Sequence, residues 1–286
     1  MKLVQSVAKL YLHIYMKILI TTLSLFLLFA CNDSVTKSTP TVSKAKIKTA
    51  SPEQTSSSKV SNDTSVTLDF LMGKFEPKNY YNFLQIEKKY ADRKGMFIQK
   101  ETYEAFKNMY AAAKQDGISF VIKSATRNFI SQKNIWEAKW NGKRKTTGVK
   151  DIIKNYPIPK DRALKILEFS SMPGTSRHHW GTDIDLNNFT NKYFEKGKGK
   201  EEYDWLKNNA NKFGFYQPYI KKGNERPHGY NEEKWHWSYL PLSKKYIDQV
   251  RLKMKDKFIK GFDGAEVAEE IGMIEKYILG INRKCL

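Results

Sequence analysis

Between residues 100 and 115, apolar side chains recur every three or four positions, at Tyr103, Phe106, Met109, Tyr110 and Ala113. That spacing lays a single stripe along a helix, and Asp116-Gly117 supplies its stop. The β-branched and aromatic run Ile118-Ser119-Phe120-Val121-Ile122 then predicts a short strand. Helices are expected over residues 131–140 and 161–169, separated by a basic, glycine-containing loop at 141–150. Thr182-Asp183-Ile184-Asp185-Leu186 alternates like a strand leaving a turn, as does Trp235-His236-Trp237-Ser238-Tyr239. Residues 203–213 predict a helix ended by Gly214, and residues 250–279 predict one or two more. Helices mixed with non-consecutive short strands, and no internal repeat, point to an α+β fold.

The amino-terminal quarter follows another pattern. Lys17 precedes a thirteen-residue apolar run, Ile18 to Ala30, and Cys31 follows it. This is the layout of a secretory signal, too short to span a bilayer, which takes about 20 residues. Leu28-Phe29-Ala30-Cys31 resembles a bacterial lipobox, in which the cysteine is acylated and becomes the first residue; Met16 then serves as a start as well as Met1 does. Residues 31–66 are rich in Ser, Thr and Lys with almost no large apolar residue, the composition of a flexible tether. The expected organisation is a signal at 1–30, an acylated Cys31 with its tether to residue 66, and one folded domain over 67–286.

Charge narrows the partners. The 286 residues carry 50 Lys and Arg against 30 Asp and Glu, a formal charge of +20. Removing residues 1–30 takes away only Lys2, Lys9 and Lys17 and leaves about +17, so the basicity belongs to the mature protein. Such a surface attracts polyanions. No zinc-finger spacing, RNP-like aromatic motif or recognition-helix signature accompanies it, so nucleic acid is not the expected partner. Two cysteines, Cys31 and Cys285, exclude a disulfide framework.

Four of the five histidines lie between residues 178 and 236. His178 and Asp185 flank one turn-then-strand segment, and His236 lies on the other predicted strand. Two imidazoles and a carboxylate make a zinc set with one position open to water. Glu233, three residues before His236, has the chemistry of a general base beside such a metal. On spacing alone, a metal site and ordinary structural histidines weigh evenly.

Three short motifs, in order, tip that balance. Ser176-x-His178-x-x-Gly181-x-x-x-Asp185 resembles the S-x-H-x-x-G-x-A-x-D motif of the zinc D-alanyl-D-alanine carboxypeptidases of the VanY type. Glu233-x-Trp235-His236-Trp237 is similar to that family's E-x-W-H-W, and Ser124-x-x-Arg127 with Gln132 to its S-x-x-R-x-x-x-x-Q. The resemblance covers roughly residues 95 to 240. It implies a small antiparallel sheet carrying Zn²⁺ on His178, Asp185 and His236, with helices flanking it. It further implies Glu233 as general base and then acid, Arg127 as the cation over the scissile carbonyl, and Ser176 and Gln132 as substrate-positioning residues. A water on zinc can have a pKa of about 7, which supplies a nucleophile without a Ser or Cys triad.

One position departs from the motif: Asp183 stands where the family usually has Ala. On an ideal strand it shares a face with Asp185, so it is either an orienting partner or a rival ligand. His179 is expected to point away from the site and His228 to lie in a solvated turn. At least one of Trp235, Trp237 and Tyr239 is expected in the core, and Cys285 is read as incidental. The whole implies a monomeric, exported, lipid-anchored zinc peptidase that trims the terminal D-Ala of peptidoglycan stem peptides. The alternatives are a D,D-dipeptidase or endopeptidase using the same site, or a tethered wall-binding protein without catalysis.

Overall fold

A computed structural model describes residues 66–286. The signal-like segment, Cys31 and the predicted tether up to residue 65 lie outside the described residues. Four short strands form an antiparallel sheet: β3 (Ile122–Ser124), β4 (Asp183–Leu186), β6 (His236–Tyr239) and β5 (Phe215–Tyr216), in the order β3-β4-β6-β5. A separate antiparallel pair joins β1 (Phe83–Gln85) to β2 (Phe97–Gln99). The fold is α+β, with a small sheet flanked by helices, as expected.

The sheet has one apolar and one polar face, and register explains both. Ile184 pairs with Trp237 and Leu186 with Ile122, and these side chains enter a core with Phe106 and Met109 from helix α2 (Lys100–Gln115). The stripe at 103, 106, 109 and 113 is buried there, so the predicted helix forms over its full expected length. On the other face Asp183 sits opposite Ser238, and Asp185 opposite His236. All four β4 residues are buried, because a second core of helices and loops covers the polar face. That core gathers Phe70 and Leu71 of α1 (Leu68–Leu71) and Trp136 and Trp140 of α3 (Phe129–Trp140). It also takes Ile166 of α5 (Pro159–Ile166), which follows the one-turn α4 (Ile152–Asn155), and Ile247 and Val250 of α7 (Leu240–Lys253).

Three expectations are corrected. The strand near residue 120 is Ile122–Ser124 rather than 118–122. The reason is Asn187, which has a left-handed φ of 61° at the end of β4: its side chain accepts from Val121 N and donates to Ser119 O, taking the place of a neighbouring strand. The helix before Gly214 begins earlier, as α6 (Gly197–Asn209), and tightens to a 3₁₀ turn over Ala210–Phe213. Residues 250–279 hold no long helix. After α7 come short turns, the single-turn α8 (Ala268–Ile271) and a π turn at Ile274–Ile278. Gly264 breaks the run at a left-handed φ of 79°, where a Cβ would lie 2.4 Å from the Trp140 ring. Cys285 is fully buried in this second core and unpaired.

Candidate active site

Residues 177–180 form a 3₁₀ turn with Ser176 at its start and Gly181, at φ 71°, closing it. A Cβ on Gly181 would lie 2.4 Å from the Phe83 ring, so both the conformation and the space require glycine. Because the turn is coiled, His178 and His179 diverge, but both remain buried. His178 donates from Nδ1 to the Ala125 carbonyl at 2.9 Å, leaving Nε2 to face Asp185 Oδ2 at 3.2 Å. His179 accepts from Gly174 N at Nε2 (3.0 Å) and donates from Nδ1 to the Arg127 carbonyl (2.6 Å). It points away from the ligands, as expected, into a structural position that ties Arg127 to the loop before Ser176.

The β4–β6 register sets Asp185 beside His236, with Nδ1 3.2 Å from Asp185 Oδ1 and 3.3 Å from Glu233 Oε2. One ligand atom each from His178, Asp185 and His236 lies within 4.8 Å of the others. Glu233 is held by its backbone, its N–H donating to Tyr219 O and its carbonyl accepting from Gln217 Nε2. Arg127 reaches the same cluster: its backbone N–H donates to His178 O, and Nη1 donates to Ser124 Oγ and lies 3.8 Å from Asp185 Oδ2.

The geometry decides between the two readings of Asp183. Its Oδ2 accepts from His236 Nε2 at 2.8 Å and from Arg177 Nε at 2.9 Å, while Oδ1 accepts from the Thr182 and Ser238 hydroxyls. Both oxygens are spent. Asp183 therefore orients His236 and fixes Nδ1 as its free nitrogen. Burial alone would raise the Asp183 carboxyl; the Arg177 guanidinium and the His236 imidazole together outweigh it and hold the group below the usual carboxylate range.

Electrostatically the cluster is crowded with acid. Burial would lower His236, but Asp183, Asp185 and Glu233 together drive it well above an ordinary imidazole. Burial, and then the Arg127 cation, push His178 down, and burial raises Glu233. The residues fit a divalent metal: two imidazoles each offer the nitrogen that a second partner leaves free, and buried Asp185 Oδ1 makes no hydrogen bond. This mixed nitrogen and oxygen set suits zinc.

All seven sequence-predicted residues of the folded part line one cleft of about 670 Å³: Arg127, Gln132, Ser176, His178, Asp185, Glu233 and His236. Ser176 Oγ and Gln132 Oε1 are buried without partners, and Gln132 spends its Nε2 on Ser171 O. Trp235 lines the cleft, Trp237 is core, and His228 is exposed. Sequence reasoning missed Tyr219, whose ring packs against His236 at 4.7 Å between centroids, and Arg177, the counter-ion of Asp183. Tyr219 carries no local signal; Arg177 is one residue from a predicted ligand, and only the pairing with Asp183 reveals it.

The family model for VanY, D-alanyl-D-alanine carboxypeptidase, matches residues 95–242. The chain belongs to this family. Among curated relatives, a protein described as the carboxypeptidase YodJ of Bacillus subtilis is 28% identical over 169 residues, covering 57% of this chain and 54% of that one. The D-alanyl-D-alanine carboxypeptidase of Enterococcus faecalis is 27% identical over 135 residues, 47% of this chain and 45% of that one. The chain thus spans about half the length of the curated relatives it matches. Solved structures similar to it include a vancomycin-resistance D,D-pentapeptidase VanY with Zn(II), at 24% identity and TM-score 0.42, covering 57% of this chain and 88% of that one. Another is the LdcB LD-carboxypeptidase, at 20% identity and TM-score 0.43, covering 72% and 81%.

Proposed function

We propose that this VanY-family chain is a zinc-dependent carboxypeptidase that removes the terminal D-Ala from peptidoglycan stem peptides ending in D-Ala-D-Ala. The observation that carries this is the convergence, in one cleft, of His178, Asp185 and His236 with Glu233 and Arg127. His178 Nε2, Asp185 and His236 Nδ1 would hold the metal, which when bound supplies a Lewis acid that polarises the carbonyl and makes water a nucleophile near neutral pH. Glu233 takes the proton of the attacking water on its carboxylate and returns it to the leaving amine; the burial that raises its pKa suits both halves of that cycle. The Arg127 guanidinium, with Nε unpartnered, offsets the charge that develops on the carbonyl oxygen. Ser176 Oγ and Gln132 Oε1 have free hydrogen-bonding capacity to position the peptide.

Export and anchoring belong to the same reading. A lipid on Cys31 would keep a monomeric enzyme at the membrane and within reach of the wall. The test is incubation of the detergent-solubilised full chain with a D-Ala-D-Ala muropeptide, read by mass spectrometry with chelated and zinc-restored controls. Loss of one alanine that chelation abolishes and zinc restores is the expected result. Loss of a dipeptide or a cut within the stem would keep the site and change the specificity. No cleavage by zinc-loaded protein would defeat the proposal.

A further inference from the structure

The cleft has a second wall for which the hydrolytic chemistry gives no role. Lys139, on the last turn of α3, and Arg144, in the loop after it, both line it. Lys139 follows Gln132 by seven residues, two helical turns, so both share one face of α3 at a separation of about 10 Å along its axis. Lys139 Nζ donates to Ser170 Oγ at 2.6 Å. Among the described residues, no carboxylate lies within 4.0 Å of Lys139 or Arg144. Two other cations of the cleft differ, since Arg93 and Lys123 share Asp92 at 3.2 and 2.8 Å. The acids of the cleft itself, Asp185 and Glu233, are engaged with imidazoles. Burial, and then the Arg144 cation, push Lys139 down to about 8, against a weaker opposing pull from Glu233.

Gln132 sharpens the point. One N–H of its amide donates to Ser171 O and its Oε1 has no partner, so its free oxygen offers the cleft an acceptor suited to a peptide N–H and not to a carboxylate. An acidic substrate must find its cation elsewhere on this wall.

We propose that Lys139 and Arg144 form a carboxylate subsite that holds a carboxylate of the peptide substrate, two helical turns along α3 from Gln132. The subsite rests on the peptidase reading above. The carboxylate has two possible sources, the α-carboxylate of the terminal residue or an internal carboxylate of the stem, and the substrate's own chemistry can separate them.

Calorimetry on the zinc-loaded full chain carrying Glu233→Gln, which retains substrate without turning it over, would use three synthetic peptides. One bears both carboxylates, one is amidated at its terminus, and one is amidated at the internal position. Adding Lys139→Met or Arg144→Gln is expected to weaken the parent peptide roughly 10–100-fold, the scale of a charge-assisted hydrogen bond. It should leave unchanged one of the two amidated peptides, the one that lacks the recognised carboxylate, and Lys139→Arg should restore most of the loss. Zinc content and melting curves show whether each variant is folded. Equal losses for all three peptides, or none for any, would overturn the subsite. Turnover of the parent by the unsubstituted chain, measured in parallel, separates the two ideas: cleavage without charge discrimination sinks the subsite alone. Neither cleavage nor binding sinks both.

Discussion

Asp183→Ala would free His236 Nε2 and leave Arg177 buried without its counter-ion. The first effect should weaken zinc binding about 10–100-fold, and the second should cost about 3–5 kcal/mol of stability. Competitive chelator titration and denaturant melts read the two separately, and zinc affinity equal to that of the unsubstituted chain would remove Asp183 as the group that orients His236. Glu233→Gln and His178→Ala form a contrast: the first should keep zinc and drop kcat by orders of magnitude, the second should lose both. Full zinc occupancy in His178→Ala would mean the ligand assignment is wrong. Lys139 gives a test by stability. Its folded pKa of about 8 lies below the unfolded value of about 10.4, so between those values the unfolded chain binds more protons and stability rises with pH. Lys139→Met should flatten that rise. It should also raise stability at neutral pH by about 1–2 kcal/mol, since the cost of burying this cation beside Arg144 is fully present below pH 8. A melt whose pH slope is the same in both proteins would count against a buried, depressed cation at Lys139.

At the scale of elements, the 3₁₀ turn from 177 to 180 depends on Gly181. Gly181→Ala forces a left-handed residue and a contact with Phe83, and should cost about 2–4 kcal/mol with a matching fall in zinc retention. Loss of thermal stability with unchanged metal affinity would show that the turn does not aim His178. The elements that were legible in the sequence are those whose partners are local or periodic. The α2 stripe shows because its side chains repeat every three to four residues, and β4 and β6 show because polar and apolar residues alternate. Alternation tells which side chains share a face, however, and not that the polar face will be roofed over. Asp183 therefore stayed ambiguous until Arg177, Thr182 and Ser238 were seen to enclose it. Residues 118–121 misled because the group that completes their hydrogen bonding, the Asn187 side chain, lies some 66 residues away. The segment after α7 misled because Gly264 fits under Trp140, a tertiary contact that no local pattern encodes.

Across the whole molecule, the formal charge of +20 acts at a range the cleft does not. Turnover of polymeric, anionic wall fragments should fall several-fold between low salt and roughly 0.5 M, as screening shortens the reach of that field. A short peptide should respond less, and equal salt sensitivity for both would assign no role to the surface charge. The sheet register has a further consequence for any preparation of this protein. Sliding β4 by one residue against β6 would turn Ile184 into the cleft and Asp183 and Asp185 into the apolar core. Errors of strand alignment and errors of catalysis are therefore the same errors. A refolded sample should divide into fully competent and wholly inert molecules, with no half-active population between. Its specific activity then becomes a head-count of correctly aligned chains rather than a measure of how well the average one works.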